Sequence, residues 1–131
     1  MNTTEFELTA KIYVSVPETV VVSGEEVKPQ YESNDDGDWI EYSGCVRRNI
    51  FDDDDRYEME WDIHIELDGE GLYVRATVDN VIIHEEITRL HCGLEYKKSH
   101  DTMAGYIRLV GEMVDVVVRT KQMVIPHDDN L

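Results

Sequence analysis

Carboxylates dominate the chemistry available to this sequence, and three groups of them are spaced closely enough to act together. Asp35, Asp36 and Asp38 fall within one short segment, Asp52, Asp53, Asp54 and Asp55 are consecutive, and Glu58, Glu60, Asp62 and Glu66 occupy alternate positions. Such groups can hold a hard cation, exchange protons with a substrate, or face a cationic partner. Asn34-Asp35-Asp36-Gly37-Asp38 resembles half of a calcium loop, but it lacks the alternate spacing and the closing glutamate that calcium requires. Four consecutive aspartates repel one another and favour an extended, solvated loop. Acid/base pairs of the glycosidase kind need a cleft, which spacing does not supply. No metal and no cofactor are expected.

Nucleophiles and zinc ligands are no better arranged. His84, His91 and Cys92 do not match a zinc spacing, which wants paired ligands on both sides. His91 and Cys92 are neighbours, and neighbours on a strand point to opposite faces. Cys92 falls in the apolar phase of its run, as a packing residue does. The sequence has no G-x-S-x-G, no G-x-x-x-x-G-K-[ST] and no G-x-G-x-x-G. An enzyme is not expected.

The 131 residues carry 29 acids and 12 bases, a formal charge of −17. Between Glu18 and Glu70 stand 18 acids and 4 bases, a net of −14. Nucleic acid and anionic membrane surfaces are repelled by such a chain, whereas a basic protein surface is attracted. Concentrating like charge opposes folding through self-repulsion, which a basic partner would offset. There is no apolar run near membrane-spanning length and no visible signal peptide. Cys45 and Cys92 do not make a disulfide framework. A reducing, cytoplasmic setting is the expectation.

The elements that would position these groups read as one α+β domain over 1–131. Phe6, Leu8, Ala10, Ile12, Val14 and Val16 alternate with mostly polar residues, which predicts one long strand ended by Pro17. Thr19 to Val22 predicts a short strand before a Ser23-Gly24 turn. Acidic loops are expected near 30–38 and 52–56, with short strands at 39–42 and 45–51 around Gly44. The clearest unit is a hairpin. Tyr57, Met59, Trp61, Ile63, Ile65 and Leu67 alternate with polar residues, and Leu72, Val74, Ala76 and Val78 do so after a Gly-rich connection. Segment 81–84 predicts another strand. Segment 85–96 fits a helix interrupted at Gly93 and also a strand, and the strand is preferred.

Asp101 to about Lys121 predicts a helix capped by Asp101 and apolar on most sides. One narrow polar seam remains, Arg108, Glu112, Asp115 and Arg119, holding two opposite-charge pairs at i,i+4. Gly105 and Gly111 are costly inside a helix; either another backbone approaches closely there or the helix simply tolerates the loss. The fold expected is a curled antiparallel sheet of five to six strands packed on this long C-terminal helix. A homodimer through helix 101–121 is one further use of its apolar surface.

The functional expectation follows from charge. On the strand from Tyr57 to Leu67, the acids project from one face about 6.6 Å apart. Proteins of this size and charge include DNA mimics of the anti-CRISPR and anti-restriction type from phages and mobile elements, an analogy of class alone. The expected activity is non-catalytic inhibition of a basic nucleic-acid-binding protein or nuclease. Partner contacts are expected from Asp35, Asp36, Asp38, Asp52, Asp53, Asp54, Asp55, Glu58, Glu60 and Asp62, with Trp39 and Tyr42 as aromatic anchors. Trp61, by its phase, belongs in the core. One alternative is an immunity or antitoxin-like protein that neutralises a basic toxin nuclease. Another is a half-barrel with an apolar pocket lined by Tyr57, Met59, Tyr106 and Met113.

Overall fold

A computed structural model of the chain describes residues 2–8, 12–34, 37–48, 58–68, 71–89 and 103–123. The N-terminal alternation is not one strand but two. β1 (Thr3–Leu8) and β2 (Ile12–Pro17) pair antiparallel, with Phe6 opposite Val14. Period-2 alternation is the same on both arms of a hairpin, so the pattern alone hides the reversal. A second small hairpin follows, β3 (Val20–Val22) and β4 (Glu25–Val27). Its turn is Ser23-Gly24, with φ of 52° and 82°, the left-handed pair that suits a two-residue hairpin.

The main sheet is a five-stranded antiparallel meander, β5 (Gln30–Asn34), β6 (Gly37–Arg47), β7 (Glu58–Asp68), β8 (Gly71–Val78) and β9 (Val81–Arg89), each beside the next. The predicted β7–β8 hairpin is present, with Trp61 opposite Val78 and Leu67 opposite Leu72. The expected acidic loop at 30–38 is instead largely a hairpin, β5 against the start of β6. The two short strands expected around Gly44 join in one continuous strand as far as Arg47, and positions 49–51 lie outside the described residues. Gly44 stands opposite Trp61, and a Cβ there would lie 2.9 Å from the indole Nε1. The glycine makes room for the ring without breaking the ladder. β9 carries the expected strand through Arg89, and positions 90–96 lie outside the described residues.

One face of the meander is the core. Ile40, Tyr42, Met59, Trp61, Ile63, Ile65, Leu72, Val74, Ala76 and Val78 are buried on it. Helix α1 (Met103–Met123) packs there through Tyr106, Ile107, Val110, Val114 and Val118. The N-terminal hairpins add Leu8, Val14, Val16, Val20 and Val22 to the same cluster. α1 is less buried than the sequence predicts: Met113 and Val116 are 39% and 54% exposed beside Arg108, Glu112 and Arg119. The meander and the N-terminal hairpins pack on the helix without covering its far side, which keeps apolar residues in water. Both predicted pairs form, Arg119 to Asp115 at 3.0 Å and Arg108 to Glu112 at 3.9 Å.

At Gly111 the close neighbour is a side chain of the same chain, not the expected backbone. A Cβ there would meet Val20 Cγ1 at 3.0 Å, so the missing side chain is what lets β3 lie against the helix. The expected cap, Asp101, lies outside the described residues. Polar clamps pin the layers at three places. Buried Gln122 accepts from Ser23 Oγ at 3.0 Å and donates to the Arg47 carbonyl at 2.8 Å. Tyr106 Oη donates to Glu86 at 3.0 Å and lies 2.6 Å from His84 Nε2. Tyr42 donates to the Pro17 carbonyl inside the core.

Two substitutions test this packing by thermal or urea unfolding. Gly111→Ala gains about 1 kcal/mol of helix propensity but crowds buried Val20. The net expected result is destabilisation by about 1–2 kcal/mol, with favourable coupling in the double variant Val20→Ala/Gly111→Ala. Tyr42→Phe is expected to cost about 1 kcal/mol by leaving a buried carbonyl without its donor.

Candidate functional site

The pleat and the register determine which side chains share the outer face of the sheet. Every second residue of β7 is committed to the core, so Glu58, Glu60, Asp62, His64 and Glu66 must face away from it. Pairing then brings neighbours alongside. Across β5 to β9 one row reads Glu32, Trp39, Glu66, Tyr73 and Ile87. The next reads Gln30, Glu41, His64, Arg75 and Glu85. Beyond it come Ser43, Asp62, Thr77 and Ile82, then Cys45 with Glu60 and Arg47 with Glu58. Among the described residues this face holds seven carboxylates, on Glu32, Glu41, Glu58, Glu60, Asp62, Glu66 and Glu85, against the guanidinium groups of Arg47 and Arg75.

Two of the carboxylates are held by hydroxyls, which leave their charge intact. Thr77 Oγ1 donates to Asp62, and Tyr73 Oη donates to Glu85 at 2.5 Å. That bond raises the Tyr73 phenol above its ordinary value, keeping the proton on the donor. His64 sits between Glu41 and Glu66, 3.4 Å from each, with its ring 6.1 Å from that of Trp39. A hydroxyl fixes a carboxylate rotamer without the cancellation that a lysine would bring.

At one end of this face, Arg48 makes a forked contact with Asp79, its two terminal nitrogens 2.8 and 2.6 Å from the carboxylate oxygens. The Asp79 backbone N–H donates to the Glu60 carbonyl at 2.7 Å. The Arg48 guanidinium, through this hydrogen bond and its charge, holds the Asp79 carboxyl below its ordinary range, with Lys121 adding a smaller pull in the same direction. Asp79 and Asn80 form the β8–β9 turn with φ of 54° and 65°. The clamp therefore ties the end of β6 to that turn and to the start of β7.

Of the residues expected to make partner contacts, Glu58, Glu60, Asp62 and Trp39 lie together on this face. Two do not. Tyr42 is fully buried, its phase matching Ile40, and burial pushes its hydroxyl far above the usual range. Asp38 also has the inner phase, where it accepts a hydrogen bond from Ser33 Oγ at 2.5 Å. Asp35, Asp36, Asp52, Asp53, Asp54 and Asp55 lie outside the described residues. Of the four residues expected to line a pocket, three are described. Met59 and Tyr106 are buried, Met113 is on the solvent side of α1, and Tyr57 is outside the described residues.

Glu32, Glu41 and Glu85 are the members that sequence reasoning missed. Asp36-Gly37, a strong hairpin signal, would have paired β5 with β6 and so placed Glu32 beside Trp39. Cys45 is exposed on the face, and its thiol is raised by desolvation, then by Glu60 and Glu58, the opposite of an activated nucleophile. Among the described residues no three metal-binding side chains converge, and no helix is long and apolar enough to cross a membrane. No family model, curated protein or solved structure matches the chain.

The Arg48–Asp79 clamp has a signed pH dependence. A lowered carboxylate contributes stability above its unfolded value, about 3.9, and loses it as pH falls through the lower folded value. Arg48→Gln should raise the Asp79 titration midpoint, read by NMR. It should cost under about 1 kcal/mol near neutrality, as a partly exposed pair does. Below both titrations the difference should vanish. An unchanged Asp79 midpoint in the variant would refute the clamp.

Proposed function

We propose that this protein is a non-catalytic inhibitor that docks the acidic outer face of its sheet onto a basic, nucleic-acid-binding protein, occupying the surface where DNA lies. The observation that carries this is the array of seven outer-face carboxylates, two of them restrained by hydroxyls rather than by lysines. Carboxylates along β7 stand about 6.6 Å apart, and adjacent strands lie about 4.8 Å apart. That is a two-dimensional field of negative charge on a rigid support, as a cationic groove meets on duplex DNA. Restraint before binding lowers the entropy lost on docking. Like-charge crowding costs folding stability, and a cationic partner relieves it. Charge steering would speed association, while a few central contacts would hold the complex. The proposed setting is cytoplasmic, and the class is that of the anti-CRISPR and anti-restriction DNA mimics.

The test is competitive capture. The immobilised protein is expected to retain a nucleic-acid-binding protein whose DNA binding is lost in the complex, with elution by salt and by duplex DNA. The variant Glu58→Gln/Glu60→Gln/Asp62→Asn keeps side-chain shape and hydrogen bonding while removing three charges. It should weaken capture by at least tenfold, on the order of 0.5–1 kcal/mol per charge at a polar interface. Capture that is indifferent to DNA, or equal in wild type and variant, would remove the proposal.

A further inference from the structure

The outer face is not acidic throughout. Its row through Glu66 and Tyr73, next in from the Asp68–Gly71 pair, places Trp39, Tyr73 and Ile87 in one cross-strand line, with Glu66 between Trp39 and Tyr73 and Glu32 at the β5 end. Trp39 to Ile87 spans three strand spacings, about 14 Å. On β9 the outer positions continue through Glu85 to Ile82, about 15 Å along the strand. Ile87 and Ile82 are 56% and 53% exposed. Apolar side chains, interrupted by Glu66 and Glu85, thus border two sides of the field that holds Asp62, His64 and Arg75.

β-branched residues suit strands, but threonine provides that propensity without exposing apolar surface. For recognition by charge alone, exposed isoleucines and an outward tryptophan add nothing. Their position beside the carboxylates matches the usual division of a protein interface, apolar anchors next to a polar rim. We infer that the partner surface presents apolar side chains interleaved with its lysines and arginines, and that Ile82, Ile87, Tyr73 and Trp39 receive them. The occupant is a basic amphipathic protein segment. This inference depends on the acidic docking face proposed above and adds a salt-resistant component to it.

Trp39 is the half-exposed tryptophan and Trp61 is buried, so quenching of indole fluorescence reports on this face. The probes are two synthetic peptides of equal length and charge, one alternating lysine with valine and the other lysine with serine. Both are titrated at low salt and at about 1 M salt, where charges are screened beyond about 3 Å. The valine peptide should keep its binding at high salt and bind about tenfold more weakly to Ile82→Thr/Ile87→Thr, which loses part of two apolar contacts. The serine peptide should bind at low salt only. Threonine preserves strand propensity, and an unchanged unfolding midpoint confirms that the variant is folded. If both peptides bind alike and both are lost in salt, or if the double variant retains the valine peptide fully, the apolar component is overturned while the acidic face stands. If neither peptide binds at low salt, the acidic docking face itself fails, and this inference fails with it.

Discussion

The alternation of β7 is the constraint on which the rest of the molecule depends. Met59, Trp61, Ile63 and Ile65 are buried at the centre of the core, and the pleat sends Glu58, Glu60, Asp62, His64 and Glu66 to the other side. Neither set can move without the other, because a one-residue slip would bury five polar side chains and expose four apolar ones. The same periodicity that builds the core therefore builds the acidic face. β6 and β8 pair with this strand along most of its length, so they inherit its division into an inner and an outer surface.

Once the inner face is apolar, something must cover it. α1 covers it with a single stripe, and the N-terminal hairpins close against helix and sheet. Two glycines set how closely these parts approach. Gly44 admits the Trp61 ring, and Gly111 admits Val20. The polar clamps stand where layers meet: Gln122 joins the Ser23 turn to the end of β6, and Tyr106 ties α1 to the edge strand β9. These contacts hold the sheet rigid from beneath, which is what a pre-arranged charged surface requires.

The outer face shows a different economy. A sheet surface crowded with carboxylates is destabilising if they repel freely. Here hydroxyl donors on Thr77 and Tyr73 orient two of them, and His64 stands between two more. Cations are few: Arg75 stands in the middle of the face, and the forked Arg48–Asp79 pair sits at the end of the sheet. The field is thus retained, and the side chains that restrain it come from the adjacent strand β8. Trp39, Tyr73, Ile87 and Ile82 border that field.

What the sequence determined by itself were the features written in local periodicity and charge. The β7–β8 hairpin, the C-terminal helix with both of its i,i+4 pairs, the core position of Trp61 and the in-phase row of Glu58, Glu60 and Asp62 were all legible, because each depends on spacing within one segment. Tertiary structure alone decided the rest. Alternation looks the same on one strand or on two arms of a hairpin, so the reversal between Leu8 and Ile12 was invisible. Phase relative to the core was also hidden for β6, and it turned Tyr42 and Asp38 away from the face that Trp39 joins. Glu32, Glu41 and Glu85 became its members only through register, which is a pairing between strands distant in sequence and is set by which faces bury together.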